Sequence, residues 1–266
     1  MPELPDVEIF KRILDKKALR KRIARVAVGD ARILGRLSPK TLERRLEGAT
    51  LVASRRHGKH LLARVDKGGW LTLHFGMTGA LKALAAGEDE APFTRVRLDF
   101  AGDGALAYTN KRMIGRVGFV EDAEDFIAQE KLGPDALDPH FDLPTFKRAV
   151  AGSKRDVKSV LMDQELVAGI GNIYSDEILF QAGIHPQSRV DSLAPARLEL
   201  LHKTMRKVLE SAVAHGAGSE ELTERMPKGS LLPERKKGGR CPRCSGALAV
   251  LKLGGRTAYC CERCQS

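Results

Sequence analysis

The sequence predicts an α+β protein made of an N-terminal β-sandwich with flanking helices, a helical domain and a C-terminal zinc-ribbon hairpin. Three observations lead to this fold class. Short apolar runs separated by turn residues fill residues 1–130, apolar residues at helical spacing fill residues 146–218, and all five cysteines lie among the last 26 residues. The chain has 266 residues, which suits two domains at about 150 residues each.

A helix is expected at the start of the chain, because apolar residues recur at helical spacing from Val7 to Leu14 and Asp6 suits a helix N-terminus. One later helix has Ser38 as its N-cap and Pro39 at its first position. The apolar runs predicted as strands are IARVAV, TLVASR, HLLARV, WLTLHF, RVRLDF, ALAYTN and VGFVE. Many short strands at regular spacing indicate a β-sandwich.

The composition changes after this first region. The proline-rich, acidic string KLGPDALDPHFDLP predicts a linker over residues 131–145. The periodicity then becomes helical, which predicts a helical domain over residues 146–218. A basic, glycine-containing loop and the cysteines occupy residues 219–266.

The cysteines have the spacing of a metal site. Cys241 and Cys244 are separated from Cys261 and Cys264 by 16 residues, which fits the four-cysteine zinc pattern. Four thiolates complete a closed tetrahedron, and a closed site is structural. The strings ALAVLKL and RTAYC predict two strands joined by a Gly-Gly turn. We therefore expect one structural zinc ion, with Cys260 left as a packed or spare thiol.

The charge of the chain favours a polyanionic partner. Lys and Arg number 45 and Asp and Glu 34, which gives a net charge of +11. Residues 11–25 carry eight bases and one acid. Such clusters suggest nucleic acid, although a solvated helix face is the commoner fate of a charge run. No apolar run reaches about 18 residues and no signal peptide is evident, so we expect a cytoplasmic monomer without a membrane partner.

The opening string MPELPDVE permits two interpretations. A turn followed by a helix would tolerate these prolines without any chemical role. Alternatively, removal of Met1 would leave Pro2 as a secondary amine at the very terminus, next to Glu3. If Met1 is retained, the nitrogen of Pro2 is an amide and cannot act as a nucleophile.

The string GIGNIYSDEILF is also open to two interpretations. Gly169 and Gly171 allow a tight turn between helices, and Asn172 then opens the next helix. The backbone N–H groups at a helix start suit a phosphate. Taken alone, the turn could equally serve helix packing.

In combination, these strings resemble formamidopyrimidine-DNA glycosylase and its relative endonuclease VIII. The resemblance spans the chain in order, through MPELPDVE, HGKHLL, HFGMTG, KRMIG, the helix–two-turn–helix string GIGNIYSDEILF and the terminal zinc finger. It implies a bifunctional DNA glycosylase and AP lyase of base-excision repair, most simply of the formamidopyrimidine/8-oxoguanine type. Its partner would be double-stranded DNA containing damaged bases or abasic sites, which implies a place at the nucleoid.

The resemblance implies catalytic roles for four residues. Pro2 would attack C1′ of the damaged nucleotide and form a Schiff base, and Glu3 would act as general acid on the opening sugar. Lys59 would assist β-elimination and grip a phosphate. Arg256 at the finger tip would assist δ-elimination and hold the phosphates at the lesion.

The resemblance implies DNA-binding roles for five more residues. His74, Lys158 and Asn172 would contact phosphates, and Met77 and Arg112 would fill the space left by the flipped base. Taken singly, each has a plainer interpretation. Met77 would suit a core, Arg112 an ordinary surface, and His74 a buried and satisfied histidine.

Three features depart from the formamidopyrimidine-type pattern. Asp6 stands where that type usually has glutamate, Ile114 replaces a void-filling phenylalanine, and the loop over residues 217–240 is short and lacks aromatic residues. These departures leave base preference open. The alternatives are an oxidised-pyrimidine glycosylase of the endonuclease VIII type and a non-catalytic binder of damaged DNA, and retention of Pro2 and Glu3 favours the enzyme.

Overall fold

The computed structural model describes residues 1–102, 104–219 and 222–266. Asp103 and two residues of the short 217–240 loop, Glu220 and Glu221, lie outside the described residues. None of the helices in these described ranges combines the length and the apolar character that a membrane crossing requires.

The chain forms two compact units. The first comprises Met1–Pro2 and Val7–Glu130, and the second comprises Glu3–Asp6 and Lys131–Ser266. The first helix, α1 (Leu4–Lys17), therefore contributes its first turn to the second unit and the rest of its length to the first.

The first unit contains eight strands: β1 (Ile23–Val28), β2 (Leu51–His57), β3 (His60–Val65), β4 (Trp70–His74), β5 (Gly79–Leu84), β6 (Thr94–Phe100), β7 (Ala105–Asn110) and β8 (Arg116–Val120). They form two antiparallel sheets with the orders β1-β6-β7-β5 and β2-β3-β4-β8. Leu98 and Leu106 from the first sheet share one buried cluster with Leu61 and Leu73 from the second. A shared core between two antiparallel sheets confirms the expected β-sandwich.

Short helices flank the sandwich. The helix α2 (Pro39–Leu46) begins as expected, with the Ser38 hydroxyl accepting a hydrogen bond from the Thr41 amide at 3.2 Å. The helix α3 (Ala123–Gln129), which the sequence did not predict, begins after Asp122. The Asp122 carboxylate accepts hydrogen bonds from two first-turn amides, which explains why this acidic stretch is helical. A short 3-10 turn follows β1.

The second unit contains the helices α4 (Leu143–Val150), α5 (Val157–Leu161), α6 (Asn172–Ala182) and α7 (Pro195–His215). The helix α6 is buried on every side, and its polar residues Ser175, Asp176 and Glu177 are fully buried with its apolar ones. It ends at Gly183, which adopts a left-handed conformation with φ 65°. A central helix of this kind must find internal partners for its polar side chains.

The segment expected as a linker packs into the second unit. It forms neither helix nor strand up to Asp142, but Ala136 and Phe141 belong to the buried core of this unit. The Ala136 amide donates to the Ala168 carbonyl at 3.0 Å. Burial of its apolar residues fixes this segment, in spite of its proline and acidic content.

The C-terminus forms the expected hairpin. Strands β9 (Ala249–Leu253) and β10 (Arg256–Cys260) pair in antiparallel register, and Leu253 lies opposite Arg256. Gly254 and Gly255 both have positive φ, at 52° and 74°. A two-residue turn with positive φ at both positions matches the twist of an antiparallel hairpin and favours glycine at each position.

Candidate active site and metal centre

Glu3 is attached to the start of α6. It is fully buried, and one carboxylate oxygen accepts the amides of Gly171 and Tyr174 at 2.8 and 3.1 Å. The other oxygen accepts the amide of Ile173 at 2.8 Å. These are orphan donors at a helix N-terminus, where the helix dipole also favours negative charge. The three hydrogen bonds fix the carboxylate and stabilise its charge.

The GxG turn makes this attachment possible. A Cβ atom on Gly171 would lie 2.4 Å from the carboxyl carbon of Glu3, and one on Gly169 would lie 2.6 Å from the Leu4 side chain. Gly169 also has φ +117°, which disfavours other residues. The Leu4 amide donates to the Gly169 carbonyl at 3.0 Å. The glycines are therefore required because the N-terminal segment lies directly against them.

Asp6 links the same segment to the loop after α7. Its carboxylate accepts the Glu3 amide at 2.8 Å and the Ser219 amide at 3.0 Å. Burial raises the pKa of Asp6 to about 6, against the lowering effect of these hydrogen bonds, and the nearby charge of Glu3 raises it further. Asp6 is the residue that stands where the formamidopyrimidine-type pattern usually has glutamate. In this chain its carboxylate holds the N-terminal segment to the loop after α7.

Pro2 precedes Glu3 directly and is half-buried. Its covalent neighbour Glu3 is held in position by hydrogen bonds from three α6 amides. Within the first unit, Lys59 lies in the two-residue turn between β2 and β3, next to Gly58 with φ 55°, and is partly exposed.

His74 lies at the end of β4, with its ring stacked on His60 at a centroid distance of 4.8 Å. Burial lowers the pKa of His74 to about 4, and the charges of Lys59 and Arg116 lower it further. The pKa of His60 falls to about 3 for the same leading reason. His74 is therefore neutral at physiological pH and offers a hydrogen bond rather than a positive charge.

Met77 and Arg112 lie on two turns that are joined by a hydrogen bond. The Arg112 amide donates to the Thr78 hydroxyl at 3.0 Å, which connects the turn after β4 to the turn after β7. Met77 is 37% exposed and Ile114 is 49% exposed. Core side chains are buried, whereas these two apolar side chains are exposed on turns. The plainer interpretation of Met77 as a core residue therefore does not apply.

Lys158 is buried inside the second unit. Its ammonium donates to the Asn172 carbonyl at 2.9 Å, the Ser175 hydroxyl at 2.7 Å and the Asp176 carboxylate at 2.6 Å. An ammonium has three donors, and all three are used within the protein. Burial lowers the pKa of Lys158, while the charge of Asp176 opposes that shift. A phosphate contact by Lys158 would require its ammonium to leave these acceptors.

Asn172 and Arg256 are placed differently. Asn172 is the first residue of α6, and its side-chain oxygen is buried without a hydrogen-bond partner among the described residues. The side-chain oxygen is therefore an acceptor that the described residues leave unused. Arg256 is exposed at the first position of β10, directly after the Gly254–Gly255 turn.

The four predicted cysteine ligands come together. The sulfurs of Cys241, Cys244, Cys261 and Cys264 all lie within 4.8 Å of one another, with 3.7 Å between Cys241 and Cys264 and 3.5 Å between Cys244 and Cys261. Sulfurs bound at about 2.3 Å around a tetrahedral ion lie about 3.8 Å apart, so the cluster fits a metal. Cys260 lies outside it, buried, with its sulfur 3.7 Å from the His185 ring.

The sequence did not single out the side chains around α6 that hold the finger. Arg235 donates to Asp176 at 2.8 Å, and the Leu232 amide donates to Glu177 at 2.8 Å. A signal was present, because the two acids stand in the middle of a helix whose other residues are mostly apolar. Buried acids need partners, and the basic loop before Cys241 supplied candidates.

The chain was compared with known proteins. Residues 1–117 match the family model of the formamidopyrimidine-DNA glycosylase N-terminal domain, and residues 132–224 match that of the formamidopyrimidine-DNA glycosylase H2TH domain. The formamidopyrimidine-DNA glycosylase of Carboxydothermus hydrogenoformans is 35% identical over 271 residues, covering 100% of both chains.

Solved structures give the same result. Lactococcus lactis formamidopyrimidine DNA glycosylase, bound non-covalently to DNA containing an AP site, matches with a TM-score of 0.89 and 26% identity over 99% of each chain. The wild-type enzyme of that organism, in complex with DNA containing N7-benzyl-Fapy-dG, matches with a TM-score of 0.89 and 27% identity over 100% of each chain.

These matches define a DNA glycosylase of base-excision repair. The chain belongs to the formamidopyrimidine-DNA glycosylase family. This confirms the family and the enzyme class expected from the sequence, in preference to the oxidised-pyrimidine and non-catalytic alternatives.

Proposed function

We propose that this chain excises oxidised purines of the formamidopyrimidine and 8-oxoguanine kind from double-stranded DNA and then cuts the strand at the resulting abasic site. The observation that carries the proposal is the attachment of Glu3 to three α6 amides, because it fixes the residue next to Pro2. The names of the relatives and the damaged DNA bound by the solved neighbours support the substrate. Such an enzyme acts in the cytoplasm, at the nucleoid.

Pro2 is the proposed nucleophile. Once Met1 has been removed, its nitrogen is a secondary amine with an ordinary pKa near ~8, so a useful neutral fraction exists at physiological pH. The amine attacks C1′, the C1′–base bond breaks, and the base leaves with the bonding electron pair. The imine formed from a secondary amine carries a permanent positive charge. That charge accepts electrons when the phosphates are eliminated.

Glu3 is the proposed proton carrier. Attack by the amine releases a proton, and opening of the sugar ring requires one at O4′. Glu3 is covalently adjacent to Pro2, and its carboxylate is fixed by the α6 amides. It therefore takes the proton from the amine and donates it to the ring oxygen.

Lys59 and Arg256 are the proposed cations of strand cutting. Each follows a glycine in a tight turn and is at least partly exposed, so each cation can approach a phosphate. Lys59 assists loss of the 3′ phosphate by β-elimination. Arg256 assists loss of the 5′ phosphate by δ-elimination, and both cations stabilise the charge on the leaving phosphate.

Five residues are proposed to bind the DNA. Asn172 is the first residue of α6, where its side-chain NH2 group can donate to a phosphate, and neutral His74 can donate one hydrogen bond as well. Met77 and Arg112 project from neighbouring turns and would fill the gap that the flipped base leaves. Lys158 would act on a phosphate only after exchanging its present partners, and otherwise supports Asn172 through the Asn172 carbonyl.

The metal is proposed to be zinc. Four thiolates in a closed tetrahedral set suit zinc and leave no open position for a reacting group. A bound zinc ion would supply structural stability only. The chain's own contribution is the β9–β10 hairpin, which carries Arg256 at its turn.

Borohydride trapping tests the proposal. The untagged protein is incubated with duplexes that contain 8-oxoguanine, an oxidised pyrimidine or an abasic site. We expect covalent adducts with the first and third duplexes, and their loss in Pro2→Gly while DNA binding stays within about threefold, because the change replaces the secondary amine of proline with a primary amine and leaves the phosphate contacts in place. Intact mass should show a protein lighter by one methionine residue. Intact binding with no adduct on any duplex would overturn the proposal.

A further inference from the structure

Asp176 is a fully buried acid that joins three parts of the second unit. It lies in the middle of α6. Its carboxylate accepts hydrogen bonds from Lys158 of α5 at 2.6 Å and from Arg235, in the loop before Cys241, at 2.8 Å. The same oxygen that accepts Arg235 also accepts the amide of Tyr259 in β10 at 3.2 Å. We call Lys158, Asp176 and Arg235 the Asp176 cluster.

Arg235 attaches the cluster to the hairpin. Besides the ion pair with Asp176, its guanidinium donates to the Thr257 carbonyl at 3.2 Å. It also lies over the Tyr259 ring, 5.0 Å from the centroid. A planar guanidinium with several fixed donors can satisfy all of these partners at once, which a lysine cannot. Strand β10 is therefore attached to α6 through both its backbone and a side chain.

One end of this connection is the proposed functional residue Asn172, and the other is Thr257, the neighbour of the proposed functional residue Arg256. Thr257 directly follows Arg256, and the Asn172 carbonyl accepts Lys158 at 2.9 Å and Arg235 at 3.4 Å. The cluster thus connects the first residue of α6 with the residue next to the finger-tip arginine. The desolvation cost of a buried ion pair can offset its attraction, so the cluster need not add stability in order to hold the groups it joins.

We propose that Asp176 and Arg235 are positioning residues that fix Arg256 relative to Asn172, so that the finger cation and the helix-start amide act on the same DNA backbone. The inference rests on the proposed function for the roles of Arg256 and Asn172. It assigns no chemistry to Asp176 or Arg235 themselves, since neither contacts the reacting atoms in this proposal.

The test compares Arg235→Met with Lys236→Met. The control removes the same charge one position along, from an exposed side chain. On an abasic-site duplex in single turnover, we expect Arg235→Met to lower the ratio of δ- to β-elimination product by about tenfold, because displacement of a catalytic group by about 1 Å has effects of this order. The rate of 8-oxoguanine excision, which uses Pro2, should change by less than about threefold, because Pro2 is not the group that this variant displaces. Lys236→Met should match the wild type in both assays.

Hydrogen exchange gives a readout that does not depend on catalysis. The Tyr259 amide should exchange faster in Arg235→Met and at the wild-type rate in Lys236→Met. If the Arg235→Met protein loses its metal, the variant Arg235→Lys is tested in its place. Arg235→Lys keeps a cation to pair with Asp176 but lacks the second guanidinium nitrogen that donates to the Thr257 carbonyl. It should therefore lower the ratio of δ- to β-elimination product by less than Arg235→Met does. Wild-type values of both the ratio and the Tyr259 exchange would overturn the inference. If the wild type makes no δ product, the proposed role of Arg256 fails, and Tyr259 exchange still decides whether the cluster holds the hairpin.

Discussion

Glu3 and Ile173 are 170 positions apart in the chain, and a carboxylate oxygen of Glu3 accepts the amide of Ile173 at 2.8 Å. The second oxygen accepts two more amides of the same helix start. This contact brings the residue beside the proposed nucleophile to the beginning of the helix that carries the proposed phosphate ligand.

Glu3→Gln should reduce both stability and activity. The variant places an amide NH2 group among N–H donors and removes the charge that the helix start favours. We expect a loss of about 1.5–3 kcal/mol in the free energy of unfolding, the range for hydrogen bonds to a charged group. Base excision should fall roughly a hundredfold or more, because a proton carrier is lost. Urea unfolding and single-turnover excision measure the two effects.

The control for this variant is Glu199→Gln, an exposed acid on α7 in the same unit. It should behave as the wild type in both measurements. Excision by Glu3→Gln at the wild-type rate would refute the assignment of Glu3 as proton carrier, whatever happens to stability.

Gly171→Ala should destabilise the second unit for a steric reason alone. The added methyl would lie 2.4 Å from the Glu3 carboxyl carbon, while the φ of Gly171, −122°, is one that alanine adopts readily. Overpacking of this kind costs about 1–3 kcal/mol. Gly152 offers the opposite case, with φ +69° and open space around it. Gly152→Ala should cost about 1 kcal/mol through backbone strain and leave excision unchanged. Thermal unfolding with excision assays separates the two cases, and full activity in Gly171→Ala would contradict the close approach.

Asp6 should make stability depend on pH in an unusual direction. Its pKa is raised to about 6 in the folded protein, so between pH ~4 and ~6 the folded state binds more protons than the unfolded state. The contribution of Asp6 to the free energy of unfolding therefore decreases as pH rises through this window, by up to about 3 kcal/mol. Asp6→Asn lacks this titration. The free energy of unfolding of Asp6→Asn minus that of the wild type should become more positive from pH 4 to pH 7, and a constant difference would show that Asp6 titrates normally.

Cys244→Ser should lose the metal and much of the affinity for DNA. The proposed metal ligands Cys241 and Cys261 belong to a small buried cluster with Phe180 and Leu231, so loss of an ion would release apolar packing as well as the β9–β10 hairpin. Metal content by mass spectrometry and DNA affinity by fluorescence anisotropy at fixed salt report the two effects. Cys260→Ser is the matched control, because Cys260 lies outside the sulfur cluster. A metal-free variant with normal affinity would show that the finger is not needed for binding.

The sequence predicted those elements whose pattern is local. The string ALAYTN is β7, and RTAYC is β10, because β-branched and aromatic residues bounded by turn glycines are a local signal. Strand β5 was missed, since GALKAL consists largely of residues that favour helices, and its pairing with β7 decides its conformation. Helix α3 was missed because its strongest signal is a single capping residue, Asp122.

The sequence named the candidate site residues but not the connections between them. Family resemblance supplied Glu3 and Asn172, and cysteine spacing supplied the metal ligands. Neither source shows that Glu3 binds the α6 amides or that Asp176 binds Arg235, because these contacts join distant segments with no periodic signal. Lys158 illustrates the difference, since a residue expected to face a phosphate has all its donors bound to internal acceptors.

The separation of Glu3 from its partners also sets an order of events during synthesis. A ribosome adding about 5–20 residues per second needs roughly ten to thirty seconds to reach Ile173 after it has made Glu3. Throughout this interval the helix start that receives the carboxylate does not yet exist, so Glu3 cannot make these hydrogen bonds. An aminopeptidase working on the emerging polypeptide has that time to remove Met1. If Met1 is removed in that time, the amine of Pro2 is free before Glu3 binds to α6.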